Sequence, residues 1–242
     1  MTYTVIGRCP RTNQIGIAVA TYSLAFGAFT QGAHNACGVA VTQAYGRRGN
    51  APLAQNLLQQ GLSSKSVLAA LVDDVQHESF RQIAVMTRDG VGVVHTGSRV
   101  HGWAGAMTGS NYHVFGNVLA GEHVLKAMES SFHAAPDQPL VERLICTLES
   151  GRDVGGQGSN GQKMPERSAC VVVMDRKSYA AWDLRVDLHK TAVEELRRLY
   201  TAFKPYQPHY EDRDEDPSHC PTQLSWERES LTDIQRREAL TF

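Results

Sequence analysis

Thr2 stands directly behind Met1 and opens a strand-like run, Tyr3-Thr4-Val5-Ile6-Gly7-Arg8. With Met1 removed, this one residue would hold both a nucleophile and its base. A threonine hydroxyl is weakly nucleophilic, whereas a free α-amino group titrates near ~7.7–8.0 and is partly unprotonated at neutral pH, so it can take the hydroxyl proton. That is the minimum equipment for acyl transfer. A small second residue is also the ordinary sequel to an initiator methionine, so the dipeptide needs support from elsewhere in the chain.

Asn117 offers some, within Phe115-Gly116-Asn117-Val118-Leu119-Ala120-Gly121. A side-chain amide among glycines can donate to an oxyanion; the ordinary alternative is a turn asparagine holding backbone groups. Gly156-Gln157-Gly158-Ser159-Asn160-Gly161 matches G-x-G-x-x-G. Its context, after a helix and before a strand, is the reverse of a dinucleotide fingerprint. It reads as a surface loop or as a loop edging a substrate site. P-loop and nucleophile-elbow motifs are absent. The ten histidines include no H-E-x-x-H or H-x-H pair, so no metal site is expected. His209, Asp212, Asp214, Asp216 and His219 read as solvated charge.

A chain of 242 residues, 42% of them apolar, suits one domain with an appendage. A net charge of −1 leaves no electrostatic footprint for nucleic acid or an acidic membrane surface. Five cysteines without a C-x-x-C pair predict free thiols in a reducing compartment. No basic and apolar leader precedes position 30, so a cytoplasmic location is expected. The uncharged stretch from Thr12 to Gly46 is broken by Gln14, Thr21, Gln31, Asn35 and Gln43, which excludes a membrane span.

The elements that must position these groups begin with a hairpin, Tyr3 to Arg8 and Ile15 to Tyr22 around Cys9–Gln14, and a third strand, Gly38 to Gln43. Their small apolar residues suit sheets covered on both faces. Asn50 is expected to cap a helix ending at Gly61, and Ser63 or Ser64 to cap the next, with Val67, Leu68, Leu71, Val72 and Val75 inward. Gln82–Thr87 and Val91–Thr96 form a hairpin about Asp89-Gly90. A strand from Asn111 to Leu119 leads to helices at Glu122–Phe132 and Pro139–Ser150, the latter stopped by Gly151. Strands at Ser168–Asp175 and Tyr179–Val186 precede a helix carrying Val193, Leu196, Leu199 and Tyr200. Beyond Lys204, four prolines and the run Glu211–Asp216 predict a solvated tail, with a short helix near Leu231–Leu240. The block order favours two sheets stacked face to face with helices outside.

Taken together, Thr2-Tyr3-Thr4-Val5-Ile6, Gly16-Ile17-Ala18-Val19-Ala20, Gly38 to Ala44, Thr96-Gly97-Ser98, Trp103-Ala104-Gly105, Gly116 to Gly121 and Asp183 to Asp187 resemble the bacterial family called domain of unknown function 1028. The resemblance spans residues 2–203. It implies membership of the N-terminal-nucleophile (Ntn) hydrolases: an α+β, four-layer αββα sandwich with two mainly antiparallel sheets between helical layers, and residues 204–242 as a Pro-rich acidic tail. It implies Thr2 and Asn117 as catalytic residues and Gln43, Gly116, Arg185 and Asp187 as substrate-binding positions. One departure stands out. Proteasome-like relatives in the wider superfamily use an early-strand lysine to favour the unprotonated amine, but this chain has none before Lys65, and Tyr22 stands where many family members carry a basic residue. Arg8, Arg47 or Arg48 would have to substitute, although an arginine cannot shuttle protons.

The expectation is therefore an amidohydrolase acting on a C–N bond of a small molecule or peptide, without a cofactor. The competing readings are a catalytically silent binding protein of the same fold, for a small metabolite or cell-wall fragment, and a structural subunit of a homo-oligomer.

Overall fold

The computed structural model describes residues 1–30, 34–35, 37–73, 77–159 and 161–240. Gln31, Val75 and Asn160, named above, lie outside them. The elements are β1 (Thr2–Cys9), β2 (Gln14–Thr21), α1 (Gly27–Thr30), β3 (His34–Asn35), β4 (Gly38–Ala44), α2 (Asn50–Gln59), α3 (Ser64–Asp73), β5 (Arg81–Thr87), β6 (Gly92–Thr96), β7 (Trp103–Gly109) and β8 (Tyr112–Leu119). They continue with α4 (Glu122–Ala134), α5 (Leu140–Asp153), β9 (Gly158–Ser159), β10 (Gln162–Lys163), β11 (Ser168–Met174), β12 (Ala180–Val186), α6 (Ala192–Phe203), α7 (Gln207–Glu215), α8 (Gln223–Ser230) and α9 (Asp233–Leu240).

Two large antiparallel sheets result. One has the order β12-β11-β2-β1-β8-β7 and the other β3-β4-β5-β6. Strand alternation gives each sheet two faces. Ile6, Ile17, Val19, Phe115 and Val172 of the first sheet share an apolar cluster with Val39, Val41, Ala84 and Met86 of the second. On its other face the second sheet buries Ala40, Ile83 and Val85 with Ala54 and Leu58 of α2 and Val67 and Leu71 of α3. The first sheet meets α4 and α5. Gly7 makes that approach close, since a Cβ there would lie 2.6 Å from the Phe132 ring of α4. Arg143 of α5 closes the end of α4, donating from Nε and Nη2 to the Phe132 carbonyl.

Several local expectations hold. Gly61 ends α2 at φ 81, Ser63 caps α3 by accepting from Ser66 N, and Gly90 turns the β5–β6 hairpin at φ 87. Others need correction. Asn50 is the first helical residue, not the cap; it is buried and donates to Thr42 Oγ1 at 3.0 Å, so tertiary contact outweighs capping preference. Gly151 does not stop α5, which runs on to Asp153. The glycine sits inside the helix because a Cβ would lie 3.0 Å from Met128 Cγ.

Contacts divide the chain into Met1–Glu194 and Glu195–Phe242. Residues expected as a tail with one terminal helix carry three. Pro208 falls in the first turn of α7, where a missing N–H leaves no hydrogen bond unmade, and the acidic run lies along that helix. Within this second unit His209 stacks on Trp226 at 4.6 Å and Thr222 caps α8 by accepting from Ser225 N.

Candidate active site

Thr2 pairs in register with Thr21 of β2 on one side and Asn117 of β8 on the other, and Thr21 pairs with Ser168 of β11. Facing residues in antiparallel strands have Cα atoms ~4.5–5.5 Å apart and side chains on the same face. Ser168, Thr21, Thr2 and Asn117 therefore form one polar row across the end of the six-stranded sheet, on the face turned toward the second sheet. All four are at most 3% exposed. Further in, the face is mostly apolar, with Val19, Phe115, Ile17 and Ile6, although Thr4 lies between Val19 and Phe115 and His113 lies opposite Ile6.

Hydrogen bonds fix the polarity of this row. Thr21 Oγ1 donates to the Met1 carbonyl at 2.7 Å and accepts from Ser23 N at 3.2 Å. A hydroxyl has a single proton, so the 2.9 Å contact between the Thr2 and Thr21 hydroxyls has Thr2 as its donor. The terminal amine of Met1 is lowered below 8.0 by its burial.

The second sheet supplies Gln43 and Gln82, both fully buried. Gln82 Nε2 lies 3.0–3.2 Å from Thr96 Oγ1 and from the carbonyls of Gly105 and Gly116, and shares its two N–H groups among these three acceptors. Carbonyls only accept, so the Gln82 amide has one orientation, with Oε1 toward Gln43 Nε2 at 2.8 Å and Asn117 Nδ2 at 3.3 Å. Gln43 must then turn its oxygen to Thr4, whose hydroxyl donates to it at 2.6 Å. Gln82 was not among the expected site residues. Its signal was parity: a polar side chain on the same face of β5 as Ala84 and Met86.

Backbone strain sits beside both amides. Val118, directly after Asn117, has φ 53, and Ala44, directly after Gln43, has φ 66. Val118 is the extra residue of a β-bulge, because Ala104 pairs with Asn117 while Trp103 pairs with Leu119. A β-branched residue in the left-handed region is rare and costs on the order of 1–3 kcal/mol. The bulge ends regular pairing while leaving Asn117 on the face of Thr2.

The remaining expected positions divide. Gly116 pairs with Tyr3, and a Cβ there would lie 2.7 Å from the Thr2 carbonyl oxygen, so its place is structural as well as adjacent. Arg185 and Asp187 pair with each other at 3.4 Å at the β12 edge. Three strand spacings, roughly 14 Å, separate β12 from β1, so this pair stands apart from Thr2. Arg8 lies near the far end of β1, about 20 Å from Thr2, and bonds Arg88 O, Asn111 and Asn13. Arg47 donates to Asn50 Oδ1, and Arg48 stacks on Phe29. Among the described residues no lysine or arginine side chain bonds the Thr2, Thr4, Gln43, Gln82 and Asn117 hydroxyls and amides.

The glycine-rich segment borders this end of the sheet. Gln157 bridges to Leu119, accepts from Tyr22 N at 3.1 Å and donates to the Pro165 carbonyl. A cavity of about 430 Å³ opens between the loop and the β7–β8 end, lined by Gly102, Trp103, Leu119, Gly158, Ser159 and Lys163 among others. Among the described residues no cluster of metal-ligating side chains occurs, and no helix is long and apolar enough to cross a membrane.

A family model described as "Family of unknown function (DUF1028)" matches residues 2–196. The crystal structure of protein SPO2555 from Silicibacter pomeroyi, titled with the same family, superposes with a TM-score of 0.72 at 24% identity, covering 84% of this chain and 89% of that one. That similarity extends to the fold alone. No curated protein matches the chain.

Proposed function

The chain belongs to the DUF1028 family, and on that premise we propose that it is an amidohydrolase with an N-terminal threonine nucleophile, cleaving a C–N bond of a small molecule or peptide. We read the two stacked sheets and their outer helices as the four-layer αββα sandwich of the Ntn hydrolases, residues 2–203 as the catalytic domain and 204–242 as an appendage. The observation carrying the reading is the buried polar row in which Thr2 lies between a hydroxyl partner, Thr21, and an amide donor, Asn117.

Removal of Met1 would leave the Thr21 hydroxyl without its carbonyl acceptor, beside the newly freed Thr2 amine. Thr2 Oγ then attacks the substrate carbonyl carbon, and its proton passes to that amine. Asn117, which has one N–H beyond the bond to Gln82, donates to the oxyanion. Collapse breaks the C–N bond, and the amine returns the proton to the leaving nitrogen. Water, deprotonated by the same amine, clears the ester from Thr2. Desolvation takes the place of the absent lysine in this scheme: an amine buried among neutral groups holds its proton less tightly than one in water.

A protein of confirmed mass, lacking Met1, should be acylated by 4-nitrophenyl acetate on Thr2 as a hydroxylamine-labile ester. If labelling is confined to hydroxylamine-stable sites, the catalytically silent binding protein becomes the better account.

A further inference from the structure

The glycine-rich loop supplies no group to the Thr2 row, yet with Trp103 and Leu119 it walls the cavity of about 430 Å³. That volume falls in the range of small-molecule sites. Strand parity sets the cavity on the other side of the sheet from Thr2. Gly116 precedes Asn117 on β8, so the two point to opposite faces. A Cβ on Gly116 would lie 2.8 Å from Leu119 Cδ1, and one on Gly105, its partner on β7, would lie 3.0 Å from Trp103 Cη2. The indole therefore lies over Gly105, on the face that meets α4.

The backbone explains why the loop brings no side chains into this space. Gly102, Gly155 and Gly161 have φ of 66, 118 and 76, and a Cβ on Gly158 would lie 2.3 Å from the Gln162 carbonyl oxygen. Bare peptide groups thus line the cavity together with the indole. Trp103 remains 38% exposed, although it is the largest apolar side chain there. Among the described residues Lys163 is the one charged residue lining the cavity. It is fixed across from Gly158 by the β9–β10 pairing, and its ammonium donates to the Arg152 carbonyl at 3.3 Å, which leaves two N–H groups. No carboxylate among the described residues lies within ion-pair distance of it, and buried Glu166 acts on it only from further off.

We propose that this cavity binds a small planar aromatic anion, its ring stacked on Trp103 and its carboxylate or phosphate held by Lys163. An open indole face favours a flat π-system over an aliphatic chain of equal size. The lysine, a point charge, attracts either kind of acid, and a cationic ligand would meet it unopposed. The site stands whether or not Thr2 is a nucleophile, because it uses neither the polar row nor that face of the sheet.

Calorimetry on the full chain tests it with two pairs of probes, indole-3-acetate against indole-3-acetamide and AMP against adenosine. In at least one pair the acid should bind about fivefold more tightly than its neutral partner, and the responding pair tells carboxylate from phosphate. Lys163→Met should bring that pair level and Lys163→Arg should keep the preference. Trp103→Ala should weaken both members about tenfold, while Trp103→Phe, which keeps an aromatic face, should retain most of the affinity. The three tryptophans give three indole N–H signals in a nitrogen–proton correlation spectrum, and the one lost in Trp103→Phe should be the one that the ligand shifts. No binding of either acid at about 10 mM, equal binding of acid and neutral partner in both pairs, a preference that survives in Lys163→Met, or a shift confined to Trp182 or Trp226 overturns the proposal.

Discussion

The Thr2 hydroxyl donates to Thr21 Oγ1 across 2.9 Å, because the one proton of Thr21 is committed to the Met1 carbonyl 2.7 Å away. Three polar groups therefore depend on a single buried hydroxyl. Thr21→Val keeps the shape and removes that hydroxyl, leaving the Met1 carbonyl and the Thr2 hydroxyl short of partners. In the Met1-bearing protein it should lower stability by roughly 1–3 kcal/mol in urea titration, while Thr21→Ser should stay within about 1 kcal/mol of wild type.

Gln82 donates to the Gly105 and Gly116 carbonyls while accepting from Gln43 and Asn117. In Gln82→Glu a carboxylate would face two carbonyl oxygens and could donate to neither. The variant should lose at least about 3 kcal/mol at neutral pH and recover part of it on acidification, when a protonated carboxyl regains one donor. A pH-independent loss would mean that the amide orientation assigned to Gln82 is wrong.

The positive φ values at Val118 and Ala44 predict an inverted glycine effect. Ala44→Gly should stabilise by about 0.5–1 kcal/mol, and Val118→Gly should be about 1 kcal/mol more stable than Val118→Ala, because only glycine adopts this region without steric cost. Thermal melts of the three variants decide it.

His113 is buried on β8, and neither ring nitrogen has a hydrogen-bond partner among the described residues. Burial pushes its pKa down from 6.5 to about 4. The unfolded chain binds the proton more readily, so the stabilising effect of the neutral ring is complete above pH 6.5 and is lost progressively as the pH falls to about 4. That difference amounts to roughly 3 kcal/mol. Denaturation between these pH values should show the loss in wild type and much less of it in His113→Leu.

Much of the sheet was legible because β1, β2, β4 and β11 carry small apolar residues on both faces, a pattern that only an internal sheet accommodates. β7 was missed. Trp103-Ala104-Gly105-Ala106-Met107-Thr108-Gly109 is a half-exposed edge strand with little alternation to mark it. The terminal helix α9 was expected, but α7 and α8 were hidden by prolines and acidic residues that favour coil in isolation. At the site, Thr2 and Asn117 were chosen for their chemistry, but their adjacency arises from strand pairing across 115 positions, which no local pattern encodes. Gln82 was overlooked for the same reason, since its partners come from strands distant in sequence. Arg185 and Asp187 show the converse: a motif noted in the sequence that the sheet order holds three strands from Thr2.

The central claim is that the Thr2 amine, once freed, is the catalytic base. The most direct measurement compares hydrolysis of a panel of small amides by two preparations of verified intact mass, one lacking Met1 and one retaining it, with Thr2→Ala as control. The account predicts Thr2-dependent turnover in the first preparation only, because in the second the nitrogen is a peptide amide without useful basicity. Equal turnover by the Met1-retaining protein would contradict it.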